Sequence, residues 1–387
     1  MSVGPGGPPP DIIAVMYRVT AALLLTACFG FGASAGFTSG HPGLKSAGAL
    51  AFGPNGILFI GDSLSGTVFA IDTRDTAPAP KAPPIAFRQI DRTLAGMLGI
   101  MPADLRINDI KVNPISKNVY ISVSRGRRLD ALPVILRTDA AGKIVEFPLD
   151  NVSYSKAVLP NPPVSNPRAD YRNPRLETIT QLGFTDGKVI VAGLSNEEFS
   201  SNLRVIPFPF HAVDEGANIE IFHGSHGDYE TQAPVRTFFP WTISGKRYIV
   251  AAYTCTPLVL IPMSALKSGA KVTGATIAEL GMGNRPLDMI PYRKDDHDYI
   301  LLANSYRGVL KLPAENLDQY SPITEPAQME GVPFKRISAW RGIRRLTTLD
   351  DANALVLRDS KDSGDYALLD SALFDSDSVD LASMPLP

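Results

Sequence analysis

The strongest constraint on the fold is a unit of strand, turn, strand, turn and strand that recurs six times along the chain. The clearest copy covers residues 286–313, with the sequence PLDMIPYRKDDHDYILLANSYRGVLKLP. A charged turn separates its first two β-rich runs, and a turn of small polar residues separates the second from the third. Because one such unit cannot bury both faces of its sheet, it must pack against neighbours built in the same way.

The remaining copies cover residues 47–72, 107–138, 179–207, 235–262 and 343–370. A hydroxyl residue closes the second strand of every copy, at Ser63, Ser124, Ser195, Thr254, Ser305 and Ser360. A candidate fourth strand follows each copy, at 86–91, 144–149, 219–224, 275–280, 333–338 and 378–383. The pattern predicts an all-β fold, a six-bladed β-propeller with four antiparallel strands per blade, in a single domain over residues 36–387. We expect the C-terminal tail to complete the last blade without a strand from the N-terminal part.

Residues 1–35 have the character of an export signal. Translation from Met16 gives a basic start, an apolar run and the Ala-Ser-Ala sequence at 33–35, which predicts cleavage after Ala35 and a periplasmic or secreted protein. The alternative is a lipoprotein, because the Leu-Thr-Ala-Cys sequence at 25–28 resembles a lipobox and a lipidated Cys28 would tether the chain to a membrane. Neither interpretation includes a transmembrane span in the mature chain.

Charge and cysteine content exclude several classes of function. The 37 basic and 39 acidic residues are mixed along the chain and give a net charge of −2, which argues against a nucleic-acid partner. With Cys28 removed or acylated, Cys255 cannot form an intramolecular disulfide, and we interpret it as a small packing residue. The chain has no C-x-x-C-H sequence, so covalent c-type haem is excluded.

Polar residues are expected to surround one mouth of the propeller channel. The positions that enter the six first strands are Ala49, Asp109, Gln181, Thr237, Asp288 and Arg345. Asp109 and Asp288, with Asn196 and Asn304 from the ends of second strands, offer the oxygen ligands that calcium prefers. The same residue types also satisfy turns, and for Asp62 and Asp359 we favour that interpretation.

Two loops carry candidate acid–base residues. His226 lies in HGSHGDYE at 223–230, and Glu197 lies in SNEEFSSNLR at 195–204. Either residue has the chemistry of a general acid or base, and His226 is also a potential metal ligand. The alternative for both loops is an exposed turn without a catalytic role, and for the loop of His226 we favour that interpretation.

Long insertions mark one face of the propeller as the functional face. They cover residues 92–106, 125–132, 150–178 and 223–234, and long loops on a rigid scaffold commonly carry function. The arginines at 125–128, together with Arg307 and Arg345, suit a carboxylate ligand. No G-x-S-x-G nucleophile sequence occurs in the chain.

The repeat, above all AGALAFGPNGILFIGDSLSGTVFAID at 47–72 and RPLDMIPYRKDDHDYILLANSYRGVLKLP at 285–313, resembles the six-bladed propellers of the SMP-30/gluconolactonase and paraoxonase-like proteins. In those families a central calcium ion polarises a lactone or ester carbonyl. The resemblance implies calcium ligands at Asp109, Asn196, Asn304 and Asp288.

Two functions follow from the sequence. The first is an exported propeller that binds a small molecule or an exported partner protein at its loop-rich face, with or without a central calcium ion. The alternative is a calcium-dependent hydrolase of the lactonase or esterase type, in which His226 or Glu197 transfers protons. Fold alone does not decide between a binding protein and an enzyme.

Overall fold

A computed structural model describes residues 1, 2, 4, 36–79, 81–126, 129–166, 173–255, 257–360 and 378–387. The described residues form mainly antiparallel β-sheet, and the prediction of an all-β propeller is confirmed. Gly36–Pro387 is one compact unit. The predicted export signal lies almost wholly outside the described residues. Within the described part of the chain, no helix is both long and apolar enough to cross a membrane.

Blades 1–3, numbered in chain order of their first strands, are listed from the channel outward. Blade 1 contains Leu50–Phe52, Ile57–Asp62, Thr67–Asp72, Val152–Val158 and Thr38–Gly40. Blade 2 contains Leu105–Val112, Val119–Arg125, Leu132–Thr138 and Ile144–Glu146. Blade 3 contains Gln181–Thr185, Lys188–Leu194, Ser201–Pro207 and Ala217–His223, and Asp228–Glu230 forms a hairpin with the last of these.

Blades 4–6 follow the same plan. Blade 4 contains Thr237–Ile243, Lys246–Ala252, Pro257–Pro262, Lys271–Leu280 and Met329–Gly331. Blade 5 contains Pro286–Lys294, His297–Asn304, Gly308–Pro313 and Lys335–Arg336. Blade 6 contains Ile343–Thr348, Asn353–Asp359, Val379–Pro385 and Ala86–Phe87. The fourth strands of blades 3 and 4, Ala217–His223 and Lys271–Leu280, pair in parallel.

The first strands of these sheets contact one another in a closed ring, but the ring does not follow the order of the chain. Blade 1 lies between blades 2 and 3, and blade 2 lies between blades 1 and 6. Buried apolar side chains fill every gap between neighbouring sheets, so the core is a ring of inter-blade layers. The chain builds blade 2 on one side of blade 1 and blade 3 on the other.

This order overturns two strand assignments made from the sequence and the expectation that the last blade closes without an N-terminal strand. Ala86–Phe87 pairs with blade 6 instead of completing blade 1, whose fourth strand is Val152–Val158. Val379–Pro385 is the third strand of blade 6, not its fourth, so a strand from the N-terminal part does complete the last blade. The sequence interpretation failed because it assumed that each outer strand directly follows its own blade.

Helical structure is confined to short connections. The helix Ile90–Leu98 begins in the stretch predicted as a strand at 86–91 and continues into the predicted insertion at 92–106. It buries Ile90, Leu94 and Leu98 between blades 2 and 6. It ends at Gly99, whose φ of 65° is the left-handed conformation that glycine adopts most readily. Short 3-10 turns occur at Pro54–Gly56, Pro102–Asp104, Pro174–Glu177, Met263–Ala265 and Leu317–Gln319.

Candidate metal centre

A tight hairpin brings two histidines together at the outer edge of blade 3. The strand Ala217–His223 turns back into Asp228–Glu230, and the backbone N–H of Gly227 donates to the carbonyl oxygen of His223 at 2.8 Å. Gly227 has a φ of 73°, which the turn requires and which other residues rarely adopt. The His223 and His226 rings consequently lie 4.0 Å apart between centroids.

Cys255 reaches the same place from the turn after the second strand of blade 4. Its backbone N–H donates to the carbonyl oxygen of Asn284 at 2.7 Å, and its φ is 61°. A left-handed conformation at a residue other than glycine costs energy and is often found at functional sites. The turn holds the Cys255 thiol next to the two histidines.

These three side chains form a candidate metal centre. Their ligand atoms, one nitrogen from each histidine and the Cys255 sulfur, all lie within 4.8 Å of one another. In the described part of the chain, no other group of three His, Cys, Asp or Glu side chains meets that criterion. His223 is buried, Cys255 is partly exposed and His226 is exposed, so the centre is open to solvent on one side.

The His223 imidazole is oriented by an acidic partner. Its Nδ1 lies 2.7 Å from Glu230 Oε2, which leaves Nε2 as the nitrogen available to a metal. That Nε2 is buried and has no hydrogen bond of good geometry, although the Cys255 thiol interacts with the ring. Burial by itself lowers the pKa of His223, but Cys255, Glu230 and Glu279 outweigh it and raise the pKa to about 9.

The electrostatics of Cys255 complement those of His223. The interaction with His223 lowers the pKa of the Cys255 thiol, and backbone N–H groups of Gly283 and Asn284 act in the same direction against the effect of burial. A thiolate is the form of cysteine that binds metals and attacks electrophiles. With these two shifts the site is able to present a thiolate beside a protonated His223, whose Nε2 would lose its proton when a metal ion binds.

Glu279, in the outer strand of blade 4, adds a buried carboxyl group to the surroundings. Its Oε1 accepts a hydrogen bond from the backbone N–H of Gly224 at 2.6 Å, and its Oε2 is buried without a partner. Burial raises the pKa of Glu279 to about 7, and the nearby His223 opposes that rise. A side chain at position 224 would place its Cβ 3.0 Å from Glu279 Cγ, so glycine allows this approach.

The structure brings only one of the two predicted acid–base residues into this centre. His226 belongs to it, whereas Glu197 lies on the exposed loop after the second strand of blade 3. Glu197 Oε1 accepts a hydrogen bond from Asn161 Nδ2 at 2.8 Å, and the neighbouring Asn196 is also exposed. The predicted role of Glu197 remains a prediction.

Asp109 and Asp288 occupy the first strands as predicted, and both carboxylates bind backbone. Asp109 Oδ2 accepts from Leu50 N at 2.8 Å in blade 1, and Asp288 Oδ2 accepts from Leu346 N at 3.2 Å in blade 6. Each aspartate thus links its own blade to the next. Lys111 Nζ lies 3.7 Å from Asp109 Oδ1. Burial pulls the pKa of Lys111 down, but the two carboxylates outweigh that effect and raise it.

Asn304 is the member of the predicted calcium set that retains an unused ligand atom. Its Oδ1 is buried without a hydrogen-bond partner, while its Nδ2 donates to the carbonyl oxygen of Leu302 at 3.2 Å. An amide oxygen of this kind suits calcium. The calcium site of Asp109, Asn196, Asp288 and Asn304 stays a prediction.

Sequence reasoning missed most of the metal centre. Cys255 was interpreted as a packing residue, and Glu230 and Glu279 were not singled out. One local signal was present, the His-x-x-His spacing of the glycine-flanked turn at 223–227, which places two imidazoles on one hairpin. Nothing local connects that turn to Cys255, because the contact depends on how blades 3 and 4 pack.

Comparisons with known proteins identify no family for this chain, and the solved structures that it is similar to share little of its sequence. No protein-family model and no curated protein matches the chain. A Thermus thermophilus oxidoreductase described as a glucose dehydrogenase is 12% identical, with 90% of this chain and 100% of that chain covered and a TM-score of 0.36. The PQQ-bound aldose sugar dehydrogenase of Streptomyces coelicolor is 11% identical, with 91% and 100% covered and a TM-score of 0.30.

A further solved structure, a GH43 β-xylosidase/α-arabinofuranosidase from a compost microbial metagenome, is 10% identical, with 74% of this chain and 92% of that chain covered and a TM-score of 0.33. At these values the likenesses carry no argument about activity. The resemblance to SMP-30 and paraoxonase-like proteins is not shown by them. The class that the chain itself defines is a β-propeller with a His-His-Cys cluster built from two neighbouring blades.

Proposed function

We propose that this propeller is a metal-dependent hydrolase that uses a Zn²⁺ ion held by His223, His226 and Cys255. The observation that carries the proposal is the convergence of three ligand atoms of the right kinds within 4.8 Å. Imidazole nitrogen and thiolate sulfur are the ligands that zinc prefers, and calcium avoids both.

The number of ligands and their exposure favour a catalytic zinc centre over a structural one. Structural zinc sites have four protein ligands, whereas catalytic sites have three and leave one position for water or substrate. The cluster contributes three ligands from the described residues, and the exposed His226 marks the side from which a substrate can approach. The bound ion would supply Lewis acidity for attack of water on an ester or lactone carbonyl.

The surrounding side chains have definable tasks in this proposal. Glu230 holds the His223 ring through Nδ1 and directs Nε2 at the metal position. Glu279 presents a second, unpartnered carboxylate oxygen in a buried position and is our candidate for proton transfer. His226, predicted from the sequence as an acid–base residue, becomes a metal ligand.

The direct test is metal titration followed by an activity screen. Chelator-treated protein should bind one Zn²⁺ per chain, and Co²⁺ in its place should give the near-ultraviolet absorption of a cobalt–thiolate bond. The zinc-loaded protein should then hydrolyse a member of a panel of esters and lactones that the chelator-treated protein leaves intact. Zinc binding without any hydrolysis would reject the enzyme and retain the metal centre; absence of the cobalt band would reject both.

Glu230→Gln is expected to weaken Zn²⁺ binding about 10- to 100-fold, the usual effect of losing the group that orients a ligating histidine. Glutamine retains the size of the side chain but not its charge. Competition with a zinc-responsive dye measures the change. Glu220→Gln is the matched control and should bind zinc as the wild type does, because Glu220 lies on the same strand as His223 but is partly exposed and accepts a hydrogen bond from Thr273.

A second candidate function is a cysteine hydrolase without a metal. Two successive contacts favour it: the Cys255 thiol interacts with His223, and His223 interacts with Glu230. In such an enzyme Cys255 would be the nucleophile, His223 the base and Glu230 the group that orients the base. Iodoacetamide distinguishes the two. Zinc should protect Cys255 from alkylation in the metal enzyme, whereas the cysteine enzyme should be most active after chelation.

The calcium centre of Asp109, Asn196, Asp288 and Asn304 remains a separate proposal, supported by the unused Asn304 oxygen. Export to the periplasm or medium, lipidation at Cys28 and an exported partner protein are also proposals. Including calcium in the metal titration tests the first of these, because a site in the channel would bind independently of Cys255.

A further inference from the structure

We infer that the mouth of the central channel binds the acidic group of a small molecule, a carboxylate or a phosphate, through Arg285 flanked by Arg236 and Arg345. These arginines come from three different blades. None was part of the site predicted for calcium, although Arg345 was noted as an anion-binding candidate.

The topology places the backbone of the three arginines at one end of the ring of first strands. The backbone N–H of Arg236 donates to Ala252 O at 2.9 Å, at the end of the second strand of blade 4. The backbone N–H of Arg285 donates to Ser305 Oγ at 3.0 Å, just past the end of the second strand of blade 5. Arg345 lies opposite Leu357, near the end of the second strand of blade 6. All three therefore belong to the mouth where second strands end.

Two of the arginines are held in place by the protein. Arg236 pairs through Nη1 with Glu177 and donates from Nε to Thr254 Oγ1 at 3.0 Å. Arg345 donates from Nε to the carbonyl oxygen of Asn108 at 2.8 Å, in blade 2. Side chains fixed in this way lose little further entropy when a ligand arrives.

Arg285 is the arginine whose guanidinium remains available. Within the described residues, its guanidinium makes no hydrogen bond and no ion pair, although its backbone is fixed on both sides by Ser305. Burial lowers the pKa of Arg285 to about 10, and the charge of Arg236 adds to the effect. The Arg285 guanidinium is partly buried near other cations, and the nearby Glu177 is already paired to Arg236. An anion that accepts two hydrogen bonds would therefore stabilise it most.

The anion site borders the metal centre through direct chain contacts. Thr254, which holds Arg236, precedes Cys255, and Cys255 donates its backbone N–H to Asn284, which precedes Arg285. A molecule whose acidic group binds Arg285 would extend toward Cys255. The substrate would then be an ester or lactone that carries an acidic group. This statement about the substrate rests on the proposed function, whereas the anion site does not.

Calorimetric titration with citrate and with inorganic phosphate, at low ionic strength, tests the anion site and separates carboxylate from phosphate recognition. Arg285→Gln is expected to weaken the preferred anion at least about tenfold, because a charge-assisted hydrogen bond is lost. Arg293→Gln is the matched control and should leave binding unchanged. Arg293 lies near the far end of the strand Pro286–Lys294, which Arg285 directly precedes, and it is exposed and paired with Asp296 and Asp298.

Equal binding by wild type and Arg285→Gln, or no binding of either anion by the wild type, would overturn the inference. Should Arg285→Gln fail to fold, Arg285→Lys replaces it, because lysine keeps the charge but cannot donate two parallel hydrogen bonds to one anion. Anion binding by Arg285→Lys at wild-type strength would reject the site. Cys255→Ser should bind the anion normally while losing zinc. Failure of the metal centre and failure of the anion site are thereby distinguished.

Discussion

Cys255→Ser is expected to reduce the Zn²⁺ affinity of the chelator-treated protein by more than about 100-fold, because removal of a ligand should exceed the effect of removing a group that merely orients one. Serine preserves the size of the side chain and the backbone hydrogen bond to Asn284. Its hydroxyl is not a thiolate, and at neutral pH it offers zinc a far poorer ligand. Dye competition gives the affinity, and cobalt absorption shows whether sulfur is bound.

His226→Gln separates the ligands from one another. It should lower the affinity for zinc but keep the cobalt–thiolate absorption, because Cys255 remains. His297→Gln provides the control. His297 is an exposed histidine that pairs with Glu315, and it belongs to blade 5, whereas the hairpin of His226 belongs to blade 3. If Cys255→Ser and His226→Gln bound zinc as tightly as the wild type, the metal would lie elsewhere and the proposed function would be wrong.

The sequence predicted the fold well because the relevant information is local. Alternating apolar residues, glycine at turns and a hydroxyl at the end of each second strand recur in every unit, and such a unit can be read without knowing its neighbours. The order of the blades was not predictable in this way. Whether Val152–Val158 returns to blade 1 or begins a long loop depends on packing between sheets, which leaves no periodic signal.

The candidate site was predictable only in part, for the same physical reason. His226 stood out because histidine is scarce and glycine surrounds the turn. Cys255 belongs to another blade. Glu279 is buried, and the residues next to it in the sequence do not indicate that its carboxyl group is shielded from solvent. A metal centre assembled from separate blades requires the three-dimensional arrangement before its members can be recognised.

Asp109 and Asp288 in the first strands illustrate how one residue type serves two purposes. Asp109 and Asp288 were selected because carboxylates at a channel mouth suit calcium. In the structure their oxygens accept backbone N–H groups within the blade and across to the next, so they close the ring at two seams. The alternation of polar and apolar residues along a strand is the same whether the aspartate binds calcium or tethers one blade to the next.

Asp109→Ala is accordingly expected to lower the free energy of unfolding by about 3 to 5 kcal/mol, the usual effect of removing one partner from a buried charged pair. The variant would leave the backbone N–H groups of Leu50 and Ile110 and the ammonium group of Lys111 without the carboxylate they now contact. Urea denaturation measures the change. Arg247→Ala, which removes an exposed pair with Asp186, should cost no more than about 1 kcal/mol.

Performing the same denaturation with calcium and with chelator decides between the two roles of Asp109. A tether predicts the same loss of stability in both conditions, because the backbone contacts do not depend on a cation. A calcium ligand predicts that the wild type gains stability with calcium and that Asp109→Ala does not. If Asp109→Ala loses stability only when calcium is present, the calcium site of Asp109, Asn196, Asp288 and Asn304 is supported. The protein would then hold a calcium ion in the channel, near the arginines that bind the anion, in addition to the zinc ion.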